Sequence, residues 1–262
     1  MSGGIAQLVA VGAQDAHLVG SPEVSFFRST YKRHTNFAQT TERQVIQGNV
    51  SNNGMSTVRF ERKGDMLGYV YFAVSSGSPP TSQKVDFGTL IDKVELLIGG
   101  QVIDEQTNEF TANVAIDTLA QNMSKSVNGS LYTGGSTNNY FYPLRFFFCE
   151  NYQSALPLVA LQYHDVELRI TWGASAANYT WDCYSNFIYL DTLERSEMAN
   201  KPVNMLIHQV QRALASGSKV QELNFNHPVK YLASANVASG GLFSTTNKIK
   251  LQINGTDVAD YK

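Results

Sequence analysis

Cysteine is nearly absent from this chain: Cys149 and Cys183 are the two among 262 residues. Two are too few for a disulfide scaffold at this length. Each sits among aromatics, in Phe146-Phe147-Phe148-Cys149 and Trp181-Asp182-Cys183-Tyr184. Both therefore read as buried free thiols that pack as small hydrophobes, as expected of a protein kept in a reducing cytosol. Charge is scarce as well, at 16% of residues, and balanced: 20 basic against 22 acidic side chains give a net charge of −2. That balance excludes a protein held to nucleic acid chiefly by its electrostatics. No apolar run reaches the roughly 18 residues needed to cross a bilayer. The first twelve residues lack a basic stretch, and Gln7 interrupts their apolar run, so they make a poor signal peptide.

Motifs for chemistry are missing too. The five histidines, His17, His34, His164, His208 and His227, show no H-x-H or H-E-x-x-H spacing, and no C-x-x-C pair accompanies them. His164-Asp165 are adjacent on an expected strand, so they point to opposite faces and cannot share a metal; His164 reads as structural. There is no G-x-S-x-G elbow, P-loop or Rossmann glycine pattern. The carboxylate pairs Asp104-Glu105 and Asp165/Glu167 read as solvated charge. No catalytic residue, metal or cofactor is expected, and nothing marks an enzyme.

What the chain does have is apolar and aromatic content: 43% hydrophobic, with 20 Gly, 13 Tyr and 14 Phe. This suits many short strands joined by turns. Residues 24–27 are apolar and strand-like. Alternation with period two predicts strands near 43–47, 58–60, 66–74, 164–172 and 187–190, with further extended segments at 141–148 and 156–160. In the strand at 164–172, Val166, Leu168, Ile170 and Trp172 share one face. Asn52-Asn53-Gly54 is a turn, and Gly99-Gly100 joins strands 94–98 and 101–104 into a hairpin. One amphipathic helix is predicted at 108–124, where Phe110, Ala115, Ile116, Leu119 and Met123 recur at helical spacing. Eight or nine strands before Pro202 predict a two-sheet antiparallel sandwich.

An internal repeat extends this picture. Gln44-Val45 recurs as Gln209-Val210, Phe60 as Phe225 and Leu67 as Leu232, all at one offset (209 − 44 = 165). The hairpin Val94-Glu95-Leu96-Leu97-Ile98-Gly99-Gly100 recurs as Ile249-Lys250-Leu251-Gln252-Ile253-Asn254-Gly255, offset by 155 (249 − 94). A second copy of the sandwich is thus expected to begin after Pro202. The remaining 60 residues (262 − 202) hold three or four strands and one hairpin. Half a sandwich would leave strand edges and an inner face exposed, so the chain is expected to be part of a longer protein.

Two sets of residues are candidate sites. N-x-[ST] triplets begin at Asn49, Asn122, Asn128, Asn178 and Asn254. They are candidate glycosylation sites, although Asn128-Gly129 and Asn254-Gly255 already serve as turn dipeptides. Arg28, Lys32, Arg33 and His34 form a basic knot. It is either a solvated turn or a contact for an acidic partner or membrane surface.

Several segments together resemble a known family. Gly12-Ala13-Gln14-Asp15 and Phe26-Phe27-Arg28 through Tyr31-Lys32-Arg33-His34 resemble the N-terminal arm of the major capsid proteins of nucleo-cytoplasmic large DNA viruses. Leu156-Pro157-Leu158-Val159-Ala160-Leu161-Gln162-Tyr163-His164-Asp165 is similar to that family's most recognisable internal stretch. Tyr189-Leu190-Asp191-Thr192-Leu193-Glu194-Arg195 and Leu223-Asn224-Phe225-Asn226-His227-Pro228 match as well. The matches are collinear over essentially the whole chain, and the algal-virus branch is the nearest in character.

The resemblance implies an all-β double jelly roll whose second jelly roll is truncated here. The division would be an N-terminal arm at 1–23, a first jelly roll at 24–200 and the start of a second at 201–262. It implies a structural protein that trimerises into pseudo-hexagonal capsomers and tiles an icosahedral shell. The protein would be made and assembled in the host cytoplasm and be located in the virion. Its partners would be its own trimer, neighbouring capsomers, minor capsid and penton proteins and an internal viral membrane, with no specific nucleic acid. The basic knot would face inward or meet a partner, and the loops at 75–83 and 128–139 would crown the outward end. The alternative is a lectin-like jelly roll that stacks sugars on Trp172, Trp181 and Tyr179.

Overall fold

The computed structural model describes residues 3–10, 12, 13, 16, 17, 20–29, 31–76, 87–115, 139–214, 220–233 and 249–261. The chain divides into two units, Met1–Asn36 and Phe37–Lys262. In the first, α1 (Gly3–Val9) is a short helix, and Ala13, Ala16 and His17 are helical as well. The strand expected at 24–27 does not form: Phe26 and Phe27 lie in a turn and are fully exposed. Four apolar residues without a partner strand have no ladder to satisfy their backbone groups. The first strand begins at Phe37 instead.

In the second unit, β1 (Phe37–Gln44), β4 (Met66–Ser76), β7 (Asn139–Pro143), β8 (Leu156–Pro157) and β10 (Tyr179–Leu190) form one antiparallel sheet, ordered β1-β10-β4-β7 with β8 also on β4. The other is ordered β2-β3-β9-β5-β6, from β2 (Ile46–Gln47), β3 (Met55–Arg59), β9 (Val166–Trp172), β5 (Ile91–Ile98) and β6 (Gln101–Thr107). The chain crosses repeatedly between the sheets, and all of β1 pairs with residues 183–190 of β10. This is the strand order of a jelly roll, and the fold is all-β.

The core follows from alternation. Along β9, Val166, Leu168, Ile170 and Trp172 are buried while Glu167, Arg169 and Thr171 are half-buried. They meet Leu67, Val70, Phe72 and Val74 of β4 in one apolar cluster. The rings of Trp172 and Trp181 lie 4.7 Å apart, and Phe72 presents an edge to both. Each indole N–H is satisfied: Trp172 Nε1 donates to Ser56 Oγ at 2.8 Å and Trp181 Nε1 to the Ala176 carbonyl at 3.0 Å. Gly173 is required between them, because a Cβ there would lie 2.3 Å from the Thr89 carbonyl oxygen.

Three other elements differ from expectation. β10 is far longer than 187–190, because a bulge between Ser185 and Phe187 breaks its alternation. The segment 141–148 is not one strand: β7 ends at Pro143, and a 3-10 turn at Phe147–Cys149 follows. That turn lets Phe146, Phe147 and Phe148 all be buried, which a strand could not do. Within the helix expected at 108–124, the described residues hold a π-helical turn, Phe110–Val114, preceded by helical Asn108 and Glu109 and followed by helical Ala115; residues 116–124 lie outside those described. An unpredicted helix, α2 (Thr192–Asn200), follows β10 and is N-capped by Asp191, which accepts from the Thr192 N–H at 2.7 Å.

The repeated hairpin is present as β11 (Ile249–Ile253) and β12 (Thr256–Tyr261). It copies the β5–β6 hairpin closely. Gly99 and Gly100 have φ of 60° and 80°, and Asn254 and Gly255 have 50° and 77°, the left-handed pair a two-residue turn demands. The bulge between Leu96 and Leu97 recurs between Leu251 and Gln252. Leu96 pairs with Asp104 and Leu251 with Ala259, 155 positions on in both cases (251 − 96 and 259 − 104). By contrast, residues 209, 210 and 223–232 form no strand; the segments matched at the offset of 165 are irregular here, having no paired neighbour.

Candidate assembly surface

The two thiols are disarmed by their surroundings. Burial pushes the Cys149 thiol up to about 12 and raises that of Cys183 further above its usual range, so neither is a thiolate near neutrality. Among the described residues no group of three His, Cys, Asp or Glu could hold a metal ion. Trp172 and Trp181 are 1% and 6% exposed, so neither can stack on a sugar, and Tyr179 is half-buried. The lectin alternative loses both of its tryptophans to the core.

Three polar clasps organise the surface instead. Arg62, just before β4, donates through its guanidinium to the carbonyls of Leu161, Gln162 and His164, the last at 3.2 Å. It thereby ties down the loop between β8 and β9, the stretch most distinctive in the sequence. Asp65 pairs with Arg195 of α2 at 2.8 Å and accepts the Leu190 N–H at 2.8 Å. Arg195 closes the Tyr189–Arg195 stretch that resembles the family, and Asp191-Thr192-Leu193-Glu194 carries a helix-start signal.

The third clasp corrects the reading of Asp104 as solvated charge. Asp104 is 4% exposed and accepts from the N–H groups of Val210 and Glu105 and from Gln106 Nε2, at 2.9, 3.0 and 3.0 Å. Burial outweighs these bonds and pushes its carboxyl up to about 6. Beside it, Gln209 Nε2 donates to the Ile103 carbonyl and Arg212 pairs with Glu109 at 3.2 Å. The segment after Pro202 is thus fastened along β6, an outer strand of its sheet. An apolar groove of about 380 Å³ runs under it, lined by Ile98, Ile103, Phe147, Leu161, Pro202 and Met205 among others.

The structure leaves the basic knot exposed: Arg28, Lys32, Arg33 and His34 all face outward in the first unit, near the exposed Phe26, Phe27 and Tyr31. Asn49, Asn178 and Asn254 are exposed, while Asn122 and Asn128 lie outside the described residues. So does most of the two loops expected at the outward end. Ser75 and Ser76 belong to β4, and Asn139 opens β7.

Residues 25–200 match the family model of the major capsid protein N-terminus. The chain belongs to the major capsid protein family. Its curated relatives include the major capsid protein of Pyramimonas orientalis virus, 37% identical over 97% of this chain and 71% of that protein. The major capsid protein of Paramecium bursaria Chlorella virus 1 is 36% identical, over 89% of this chain and 60% of that protein. Among solved structures, that of PBCV-1 VP54, fitted into a reconstruction of the virophage Sputnik, matches with a TM-score of 0.57 at 31% identity. It covers 71% of this chain and 50% of that one. The chain therefore spans about half to 70% of the length of these relatives, which are structural components of virion capsids. The resemblance read from the arm and the loop before β9 is borne out.

Proposed function

We propose that this chain is a shell-building subunit, which trimerises into pseudo-hexagonal capsomers that tile the icosahedral capsid of a large DNA virus. The observation that carries the reading is the repeated hairpin. A whole jelly roll is followed by β11–β12, with the turn, register and bulge of β5–β6. Two jelly rolls per polypeptide, three polypeptides per ring, place six similar units around an axis, which suits a hexagonal lattice. In this reading residues 1–23 form an arm, 24–200 the first jelly roll, and 201–262 open the second.

Near-neutral charge supports dense packing of copies without mutual repulsion. Arg28, Lys32, Arg33 and His34, with Phe26, Phe27 and Tyr31 exposed around them, suit a contact with minor capsid or penton proteins or with an internal membrane. The protein would act without catalysis and assemble in the host cytoplasm. Exposed Asn49, Asn178 and Asn254 remain the accessible acceptor sites should the shell be glycosylated. Native mass spectrometry with negative-stain microscopy tests the reading. Trimers of hexagonal outline are expected; monomers that bind a glycan array would overturn it.

A further inference from the structure

Charge of one sign gathers in the first unit. Between Glu23 and Glu42 the sequence has no acidic residue, while Arg28, Lys32 and Arg33 fall there with His34 beside them. Elsewhere basic side chains meet carboxylates, as Arg43 does Asp182, Arg59 does Asp165 and Lys63 does Glu42. Among the described residues Arg28, Lys32 and Arg33 have no such partner. Their neighbours are apolar. Ser25 fixes a turn, its hydroxyl accepting the Phe27 N–H at 3.2 Å and its carbonyl the Arg28 N–H at 3.5 Å. Phe26 and Phe27 stand at the corner of that turn and are fully exposed, and Tyr31, 91% exposed, follows. An aromatic pair held out in water and backed by three unpaired cations calls for a surface that covers both.

We propose that the Phe26-Phe27 turn inserts into the surface layer of an anionic lipid bilayer, with Arg28, Lys32 and Arg33 set on the headgroups. This narrows the partners suggested above for the basic knot to one class, and it rests on that reading. Charge and shape select the occupant. Each Lys or Arg near an anionic surface strengthens binding about fivefold, so three give roughly a hundredfold. Aromatic rings settle at the boundary between headgroups and acyl chains. A protein groove reads a helix or strand laid into it, whereas residues 22–29 and 31–36 form neither. A fluid surface needs only the tip. Upstream, Ile5, Leu8 and Val9 of α1 are exposed in a stretch without charge before Asp15, a second apolar element for the same layer. Among the described residues no helix is long and apolar enough to cross a membrane; the contact proposed is with one leaflet.

The test is co-sedimentation of the full chain with vesicles of phosphatidylcholine alone and of equal parts phosphatidylcholine and phosphatidylglycerol. Binding to the anionic vesicles is expected to be tighter by at least about tenfold and to weaken as salt rises. The variant carrying Phe26→Ser and Phe27→Ser should lose about tenfold on the anionic vesicles, with thermal melting unchanged because both rings are exposed. The variant carrying Arg28→Gln, Lys32→Gln and Arg33→Gln should bind both vesicles alike. Equal binding of the parent chain to both vesicles, or none to either, would overturn the contact. So would a phenylalanine variant that binds as the parent does, since charge alone would then account for the adhesion. Trimers that fail to bind would overturn this contact and leave the assembly reading standing. Monomers that bind with the expected dependence on charge and on Phe26 and Phe27 would support the contact and count against the trimer.

Discussion

The backbone N–H of Val210 donates to Oδ1 of the buried Asp104 at 2.9 Å, across 106 residues of sequence. It is the point at which the chain beyond the first jelly roll is fastened to that jelly roll's outer strand. A carboxylate is an unusual fastener at a site this dry, since desolvation disfavours its charged form.

The consequence is a dependence of stability on pH. Folded Asp104 keeps its proton to about pH 6, whereas the unfolded chain releases it near 3.8. The folded state is thus favoured by proton binding, fully below about pH 4, and loses that contribution as pH rises through 6. At about 1.4 kcal/mol per pKa unit the loss is roughly 3 kcal/mol. Asp104→Asn, neutral throughout, should remove it. Urea unfolding of both proteins from about pH 4 to 7 checks this; parallel curves would refute it.

Ser56 and Trp172 make the second case. The hydroxyl accepts the indole N–H at 2.8 Å where both residues are buried. Ser56→Ala strands that donor and should cost about 1–2 kcal/mol, whereas Trp172→Ala empties the centre of the core and should cost about 3–5 kcal/mol. In a Trp172→Phe background the Ser56→Ala cost should largely vanish. Equilibrium unfolding of the double-mutant cycle measures it, and an undiminished cost would place the role of Ser56 elsewhere.

Arg62 holds three carbonyls of one loop with one planar group. A lysine is a compact point charge and cannot span them. Arg62→Lys and Arg62→Ala should both speed amide exchange across residues 158–165 several-fold, while exchange in β4 and β9 stays slow. Because Arg62 is exposed, global stability should fall by no more than about 1 kcal/mol. Equal protection in all three proteins would show that the loop does not need the clasp.

Legibility varied with how local each signal was. β9 was readable because its alternation is unbroken, and the β5–β6 hairpin because Gly99-Gly100 names its own turn. β10 was mostly hidden, since the bulge at Ser185 shifts the phase of its pattern. α2 has no buried residue and so no apolar stripe to detect. Residues 24–27 looked like a strand by composition, but pairing is not a property of four residues.

Strands, turns, the internal repeat and the family were legible in the residues alone, because period-two alternation, left-handed turn pairs and collinear motifs are written within a few positions of each other. The fate of single side chains was decided by distant partners. Trp172 and Trp181 became core rather than sugar platforms only when the two sheets closed over them. Asp104 became a buried fastener rather than solvated charge only when Val210 arrived 106 positions later. Burial belongs to the pairing of remote segments, and no local pattern encodes it.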